Sequence, residues 1–127
     1  MPIARSIDHE RKIVTTRCSG VMTNNDIQVD QRTFWLQDWL TGYGEVFDMR
    51  AGDFSAILDT RSRYAAVVAS AEETNLVPVA MVFDSDNEAQ AALATRYIED
   101  RRALSAVSAC EGFSDLAEAT AWLEQKL

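Results

Sequence analysis

Acidic side chains are concentrated where two predicted strands end, and they are the first candidates for chemistry. Asp48, Arg50 and Asp53 lie at the end of one strand-like run, and Asp84 and Asp86 follow another. Ligands of open α/β sheets usually bind at the carboxyl ends of the strands. Paired carboxylates there could hold Mg²⁺ or transfer protons. Aspartates also close turns and cap helices, and Asp48 can pair with Arg50. This simpler role is favoured, so no catalytic residue is predicted.

Nucleophilic and metal-binding residues are scarce in the sequence. Its one histidine, His9, falls in a predicted turn, where we expect it to be solvated. Cys18 and Cys110 stand far apart, and each falls in a predicted strand, where a thiol behaves as a small apolar side chain. Zinc sites, Ser-His-Asp triads and Cys-His dyads need a well-placed histidine or clustered thiols. The sequence also lacks a glycine-rich phosphate motif, so it predicts no metal, no cofactor and no enzymatic activity.

The composition indicates a single domain over residues 1–127. Hydrophobic residues make up 47% of the sequence, and the net charge is -8 at pH 7. That charge opposes binding to nucleic acid or to an anionic membrane surface. No apolar run approaches the roughly 20 residues that cross a bilayer, and no export signal is recognisable. Two separated cysteines suit a reducing compartment, so the expected location is the cytoplasm.

Alternating strand and helix patterns must position these residues. An alternating run, Ile3 to Asp8, and a second run rich in β-forming residues, Lys12 to Ser19, predict an antiparallel hairpin. Thr23 is a suitable N-cap for the first helix. The later elements are predicted as helix 24–40, strand 45–50, helix 57–71, strand 79–83, helix 87–102 capped within 84–86, strand 104–110, and helix 115–125 capped by Ser114. Arg101 and Arg102 are expected to be solvated cations at a helix end. This order predicts an α/β fold with an N-terminal hairpin, a mostly parallel five-stranded sheet and four helices.

The first predicted helix is apolar around much of its circumference. At about 100° per residue its apolar side chains form two groups, with Ile27, Phe34 and Trp35 on one side, Val29, Leu36 and Leu40 almost opposite, and Trp39 between them. This arc is wider than one sheet covers. A neighbouring helix is the simplest cover, and a ligand or a second subunit are the alternatives. We expect an interface or pocket that uses Val29, Phe34, Trp35, Leu36, Trp39 and Leu40, and a homodimer, because an exposed apolar patch of this size is unusual.

Several segments resemble the SpoIIAA-like proteins, relatives of the STAS (anti-sigma-factor antagonist) domains. The matching segments are Gly20-Val21-Met22-Thr23, Phe47-Asp48-Met49-Arg50, Asp53-Phe54-Ser55, and Phe113-Ser114-Asp115-Leu116-Ala117-Glu118-Ala119 with Ala121-Trp122-Leu123. The resemblance implies a β-α superhelix with its helices largely on one side of the sheet. Sporulation-type antagonists carry an Asp-Ser-(Ser)-Gly segment after this strand, in which a serine accepts phosphate and switches partner binding. By this resemblance Ser55 or Thr60 could accept phosphate, and Ser55 is the candidate phospho-acceptor, although Phe54 separates it from Asp53 and no glycine follows.

These patterns are compatible with three functions, of which the first is favoured and the third ranks last. The first is a non-enzymatic interaction or regulatory module, with a homodimer and a possible protein partner, as the resemblance implies. The second is a binding protein for a small apolar or lipid-like ligand beside the first helix. An enzyme that uses the carboxylate edge ranks last, because no catalytic constellation accompanies those side chains.

Overall fold

The fold begins with the predicted hairpin and continues with strands and helices that alternate. The structure is a computed structural model that describes residues 3–35, 37–57, 77–104 and 109–127. Its elements are β1 (Ile3–Asp8), β2 (Ile13–Val21), α1 (Asn24–Thr33), a 3-10 turn (Asp38–Leu40), β3 (Gly44–Asp53), β4 (Val79–Val82), α2 (Glu88–Leu104), β5 (Cys110–Phe113) and α3 (Leu116–Lys126). The first strand matches its predicted bounds. The helix predicted over 57–71 falls almost entirely outside the described residues, which contain three α-helices.

The five strands form one mixed sheet in the order β1-β2-β3-β4-β5. The pair β1–β2 is antiparallel, and the other three pairs are parallel. The hairpin turn is closed by Asp8, whose Oδ1 accepts hydrogen bonds from the backbone N–H groups of Glu10 and Arg11 at 3.1 and 3.0 Å. Because β3, β4 and β5 are parallel to one another, their carboxyl ends lie at the same edge of the sheet.

Side chains alternate across the sheet, so each face has its own core. One face buries Cys18, Phe47 and Met81 against α1 and α2. The opposite face buries Val46 and Ala80 against α3, whose Leu123 is completely buried. Gly44 leaves the room for Leu123, because a Cβ at Gly44 would lie 2.8 Å from its Cδ1. The described helices therefore cover both faces, with two of the three on one side.

The first helix is shorter than predicted. Thr23 caps it as expected, in a capping box with Asp26, but the helix ends at Thr33 and not at residue 40. In an unbroken helix Trp35 and Leu40 would point roughly 140° apart at about 100° per residue. The break before the 3-10 turn allows both side chains to be buried, at 6% and 2% exposure. Burial of two large apolar side chains outweighs the loss of helical hydrogen bonds.

Other boundaries also differ from the prediction. The third strand runs to Asp53 and not to Arg50, because it continues to pair with β2 beyond the end of β4. The last described strand is Cys110–Phe113, which extends three residues beyond the predicted end at Cys110 because a half-buried strand tolerates the polar Glu111 and a glycine. Leu104, the predicted start, still belongs to α2, and residues 105–108 of the predicted strand lie outside the described residues. Asp115, and not Ser114, caps α3 by accepting the Glu118 N–H. The side chain that caps α2 is Asn87, which accepts the Gln90 N–H at 3.1 Å, rather than one within 84–86.

Candidate functional site

The acidic residues singled out in the sequence lie from the middle of β3 to its carboxyl end and directly after β4. Asp48 is paired in register with Val82, the last residue of β4. Its carboxylate accepts two bonds from the Arg50 guanidinium at 2.9 Å each, and a third from the Arg50 backbone N–H at 3.1 Å. The predicted pairing of Asp48 with Arg50 is therefore confirmed. A bidentate pair of this kind fixes both side chains at the sheet edge.

Opposing influences act on the ionisation of Asp48. Burial is the largest and acts to raise its pKa, but the hydrogen bonds from Arg50 and its positive charge together lower the pKa below the ordinary aspartate value. The hydrogen bond to Asp48 in turn raises the pKa of Arg50. Asp48 thus contributes stability that is present above its unfolded pKa and is lost as pH falls through its lowered folded pKa.

Replacing Arg50 with methionine should raise the Asp48 pKa from its present, lowered value. The variant keeps the backbone N–H of residue 50 and the charge of Arg17 but loses the side-chain hydrogen bonds and the charge of Arg50, so the effect of burial is opposed less strongly. The stability that Asp48 contributes above its unfolded pKa should therefore become smaller, and as pH falls it should be lost at a higher pH than in wild type. An NMR titration of the Asp48 carboxyl carbon measures the shift. Arg17→Met is the control, because Arg17 is only a minor contributor; equal shifts in both variants would contradict the assignment.

Ser55 lies on an ordered turn directly after β3. Its hydroxyl donates to Asp53 Oδ1 at 2.6 Å, and its backbone N–H donates to the same oxygen at 3.0 Å. These bonds lower the pKa of Asp53. Both side chains are exposed, whereas Phe54 between them is 2% exposed and packs over Gly52, where a Cβ would meet its ring at 2.6 Å. Phe54 anchors the turn in the core, and the serine hydroxyl remains on the surface.

The side chain of Gln90, on α2, forms hydrogen bonds to the backbone just before this turn. Its buried side-chain amide donates to the carbonyl groups of Arg50 and Gly52 at 3.2 and 3.0 Å. Its Oε1 accepts the Asp84 N–H at 2.9 Å. One side chain therefore ties together the ends of β3 and β4 and the start of α2. No sequence motif marks Gln90 as part of this site.

Asp84 and Asp86 have local structural roles at this edge. Asp84 Oδ1 accepts the Asp86 N–H at 2.9 Å, and its carbonyl accepts the Asn87 N–H at 3.0 Å. These bonds are typical of an aspartate that closes a turn. Across the ranges that the structure describes, no three His, Cys, Asp or Glu residues are grouped so that they could hold a metal ion.

The expected interface residues around α1 divide into a buried and an exposed group. Trp35 and Leu40 are buried with Val14 and Tyr43 in the protein's own core. The prediction that Leu40 faces away from Trp35 is wrong, because the helix ends at Thr33 and both side chains then turn into the same core. Phe34 is half-buried beneath the Arg5 guanidinium, which lies 3.8 Å from its ring centroid.

Val29 and Trp39 form the exposed group, at 49% and 43% exposure, and Leu36 lies outside the described residues.

His9 is exposed as predicted but is not simply solvated. Its Nδ1 lies 2.8 Å from the Tyr43 hydroxyl, and its ring centroid lies 5.8 Å from that of Trp39. Trp39, Tyr43 and His9 therefore join the hairpin turn to the segment before β3.

A buried polar network lies at the opposite, amino-terminal ends of the parallel strands. Glu45, 2% exposed, accepts from Thr16 Oγ1 at 2.8 Å and from Trp35 Nε1 at 3.1 Å. Arg101 is 3% exposed, so the expectation of a solvated cation is wrong for it. Its guanidinium donates to the Tyr97 hydroxyl at 3.0 Å and to the Val77 carbonyl.

Electrostatic partners keep this buried arginine charged. Burial acts to lower the Arg101 pKa, but charge interactions with Tyr97, Cys110 and Glu45 and the bond to Tyr97 raise it above its ordinary value. Removing one member of such a buried network leaves other buried polar groups without a partner and lowers the stability of the fold. Its position away from the carboxyl edge indicates a role in stability.

A solved structure has a similar architecture. It is the crystal structure of an uncharacterized protein of the DUF3478 family from Shewanella loihica PV-4, which has a SpoIIAA-like fold. The TM-score is 0.58 at 16% sequence identity, with 95% of this chain and 93% of that chain covered. No protein-family model and no curated protein matches the sequence. Within the described residues, no helix is both long and apolar enough to span a membrane. At this level of identity the likeness concerns the fold alone: the chain has a SpoIIAA-like fold.

Proposed function

We propose that this protein is a non-enzymatic interaction or regulatory module that contacts a protein partner around the turn after β3. The observation that carries the proposal is the exposed Ser55 hydroxyl, held 2.6 Å from Asp53 on a turn whose Phe54 is anchored in the core. Such a turn presents one modifiable side chain in a fixed position. The aspartates nearby are engaged in a salt bridge and in turn closure, which supports a binding role over a catalytic one.

Phosphate on Ser55 would act by breaking an existing contact. The modified side chain carries about -1.5 to -2 charges at pH 7 and loses its hydroxyl proton. It could no longer donate to Asp53, and two anions would meet where a hydrogen bond stood. Arg50, a cation at the same edge, is already engaged by Asp48. Repulsion would therefore displace the turn and release a partner that recognises its unmodified form.

A cytoplasmic location and a homodimer belong to the same proposal. The two cysteines are both buried, and two separated, buried cysteines suit a reducing compartment. The dimer contact would now use Val29 and Trp39, the exposed members of the predicted set. The alternative, a binding protein for a small apolar or lipid-like ligand, needs space beside the first helix. Trp35, Leu40 and Tyr43 occupy that position by packing on β2, which favours the interaction role.

Charge substitution at Ser55 tests the proposal. We expect a partner that co-purifies with the tagged protein from its own host to be retained by wild type and lost with Ser55→Asp, because the new carboxylate repels Asp53. Ser6→Asp is the matched control, since Ser6 is an exposed serine on β1 and the charge change is identical. Quantitative mass spectrometry of the purified material measures retention. Equal retention by both variants would count against a regulatory role for Ser55.

A further inference from the structure

The outer edge of β5 carries backbone groups that face away from the sheet. Strand β5 stands last in the sheet order, and among the described residues only β4 pairs with it. The carbonyl groups of Ala109 and Phe113 accept the N–H groups of Val79 and Phe83, so they point toward β4. Backbone direction alternates along a strand, and the N–H and C=O of Gly112 therefore point outward. An edge of this kind can pair with another strand.

A side chain currently occupies the position that a pairing strand would take. The Gly112 N–H donates to Oε1 of Glu111 at 3.3 Å, which is a long hydrogen bond. Oε2 of the same carboxylate accepts from Arg102 Nη2 at 3.0 Å. Both side chains are about half-exposed, at 46% and 54%. Glu111 thus curls around the edge and supplies a carboxylate oxygen where the carbonyl of an incoming strand would lie.

A groove of about 330 Å³ runs beside this edge, between β5 and α2. Phe83 and Ile98 form its apolar floor, and Thr95 and Glu99 stand on its helical side. A Cβ at Gly112 would lie 3.0 Å from the Phe83 ring and 3.1 Å from Ile98 Cδ1. Because Gly112 has no Cβ, Phe83 and Ile98 can pack directly against the backbone of β5. An edge strand beside a helix is the arrangement that binds extended peptides by strand addition.

Charge selects the occupant of the groove. Glu99 and Glu111 flank it against one arginine, and the whole chain carries a net charge of -8. A second copy pairing β5 with β5 would bring the two Glu111 side chains together and add another net -8, both of which are unfavourable. A segment with basic side chains would instead be attracted.

We infer that the β5 edge and the α2 groove bind an extended basic segment of a partner protein, which adds a sixth strand to the sheet. A carbonyl of the segment would replace Glu111 Oε1 at the Gly112 N–H, and the released carboxylate would pair with a lysine or arginine of the segment. This inference rests on the proposed interaction role but uses a surface other than the Ser55 turn.

A fluorescently labelled acetyl-Lys-Val-Lys-Val-Lys-Val-amide peptide is the probe, titrated against the intact protein and followed by fluorescence anisotropy. We expect saturable binding, with chemical-shift changes at the Gly112 amide. N-methylation of alternate residues removes N–H groups that would face β5, so it should weaken binding at least about tenfold. Glu111→Arg should weaken binding by about the same factor, whereas Glu10→Arg, the same charge change at the opposite edge of the sheet, should not.

Several outcomes would overturn the inference. If the N-methylated peptide binds as tightly as the unmodified one, charge alone drives the association. The same conclusion follows if Glu111→Arg and Glu10→Arg weaken peptide binding equally. Gly112 shifts that depend on protein concentration without peptide would assign the edge to a second copy. Glu111→Gln guards against misfolding, since it keeps the shape of the side chain and should weaken binding by a smaller factor. Ser55→Asp should leave peptide binding unchanged, so failure of the Ser55 proposal and failure of this inference are distinguishable.

Discussion

Replacing Arg101 with methionine is expected to lower the free energy of unfolding by about 3–5 kcal/mol, the cost of removing one member of a buried charged network. Arg101 is 3% exposed, and its guanidinium donates to the Tyr97 hydroxyl and to the Val77 carbonyl. Glu45, also buried, is among the charges that raise the Arg101 pKa. Methionine fills a similar volume but supplies neither the donors nor the charge, so an anion would remain buried without this cation.

The adjacent arginine provides a matched control. Arg102 is 54% exposed and pairs with the half-exposed Glu111, so Arg102→Met should change the free energy of unfolding by no more than about 1 kcal/mol. Urea unfolding followed by tryptophan fluorescence measures both values. Adding Glu45→Gln to Arg101→Met should recover part of the loss, since it removes the uncompensated charge. Equal costs for the two arginine variants would show that burial of Arg101 does not determine its contribution.

Elements whose signals are local could be predicted from the sequence. The alternation of Ile3 to Asp8 is confirmed in β1, and Thr23 caps α1 through groups within three residues of it. The end of α1 could not be predicted this way. Trp35 reaches Glu45, a residue ten positions away on a different element, and the tertiary contact breaks a helix that the apolar periodicity would continue. Tertiary packing here overrides local helical preference.

Two polar residues were missed although the sequence carried a signal for them. Gln90, Leu93, Ala94, Tyr97, Ile98 and Arg101 follow helical spacing of three and four, and all six are buried. The stripe begins and ends with a polar side chain. Local rules assigned Arg101 to the solvated helix terminus, whereas its position on the buried stripe predicts a role inside the protein. Their partners, the carbonyls of Arg50 and Val77, lie on other elements and could not be read from α2 alone.

The location of the candidate site was only partly predictable from the sequence. Asp48 does lie level with the last residue of β4, but β3 continues five residues beyond it to Asp53. The two aspartates are therefore separated by about 16 Å along the strand, at roughly 3.3 Å per residue. The bond between Ser55 and Asp53 spans two residues, and such short-range bonds are typical of turns. The hydrogen bonds from the Gln90 side chain to the carbonyls of Gly52 and Arg50 join residues that are 38 and 40 positions apart in the sequence. The order of the Ser55 turn therefore depends on a contact that only the fold creates.

Replacing Gln90 with leucine should consequently affect both stability and the Ser55 turn. The variant leaves the Asp84 N–H and the carbonyls of Arg50 and Gly52 without their buried partner. Each such group costs about 1–3 kcal/mol, partly offset by the apolar side chain, so we expect a loss of about 3 kcal/mol. Amide hydrogen exchange should also accelerate at Ser55 and Ile57, because β3 would no longer be tied to α2 just before the turn.

The related variant Gln90→Glu separates the hydrogen bonds from packing. Its carboxylate, when charged, can still accept from the Asp84 N–H but cannot donate to either carbonyl, so the folded pKa of the introduced carboxyl group should be raised above its unfolded value. The stability of this variant relative to wild type should therefore be greatest below the unfolded pKa and decline as pH rises through the raised pKa. Gln90→Leu has no titrating group, and its deficit should not follow that pH dependence. Urea unfolding across the acid range measures the difference. Parallel pH profiles for the two variants, or unchanged exchange at Ser55 in Gln90→Leu, would show that Gln90 merely fills space and that the turn holds its shape through Asp53 and Phe54 alone.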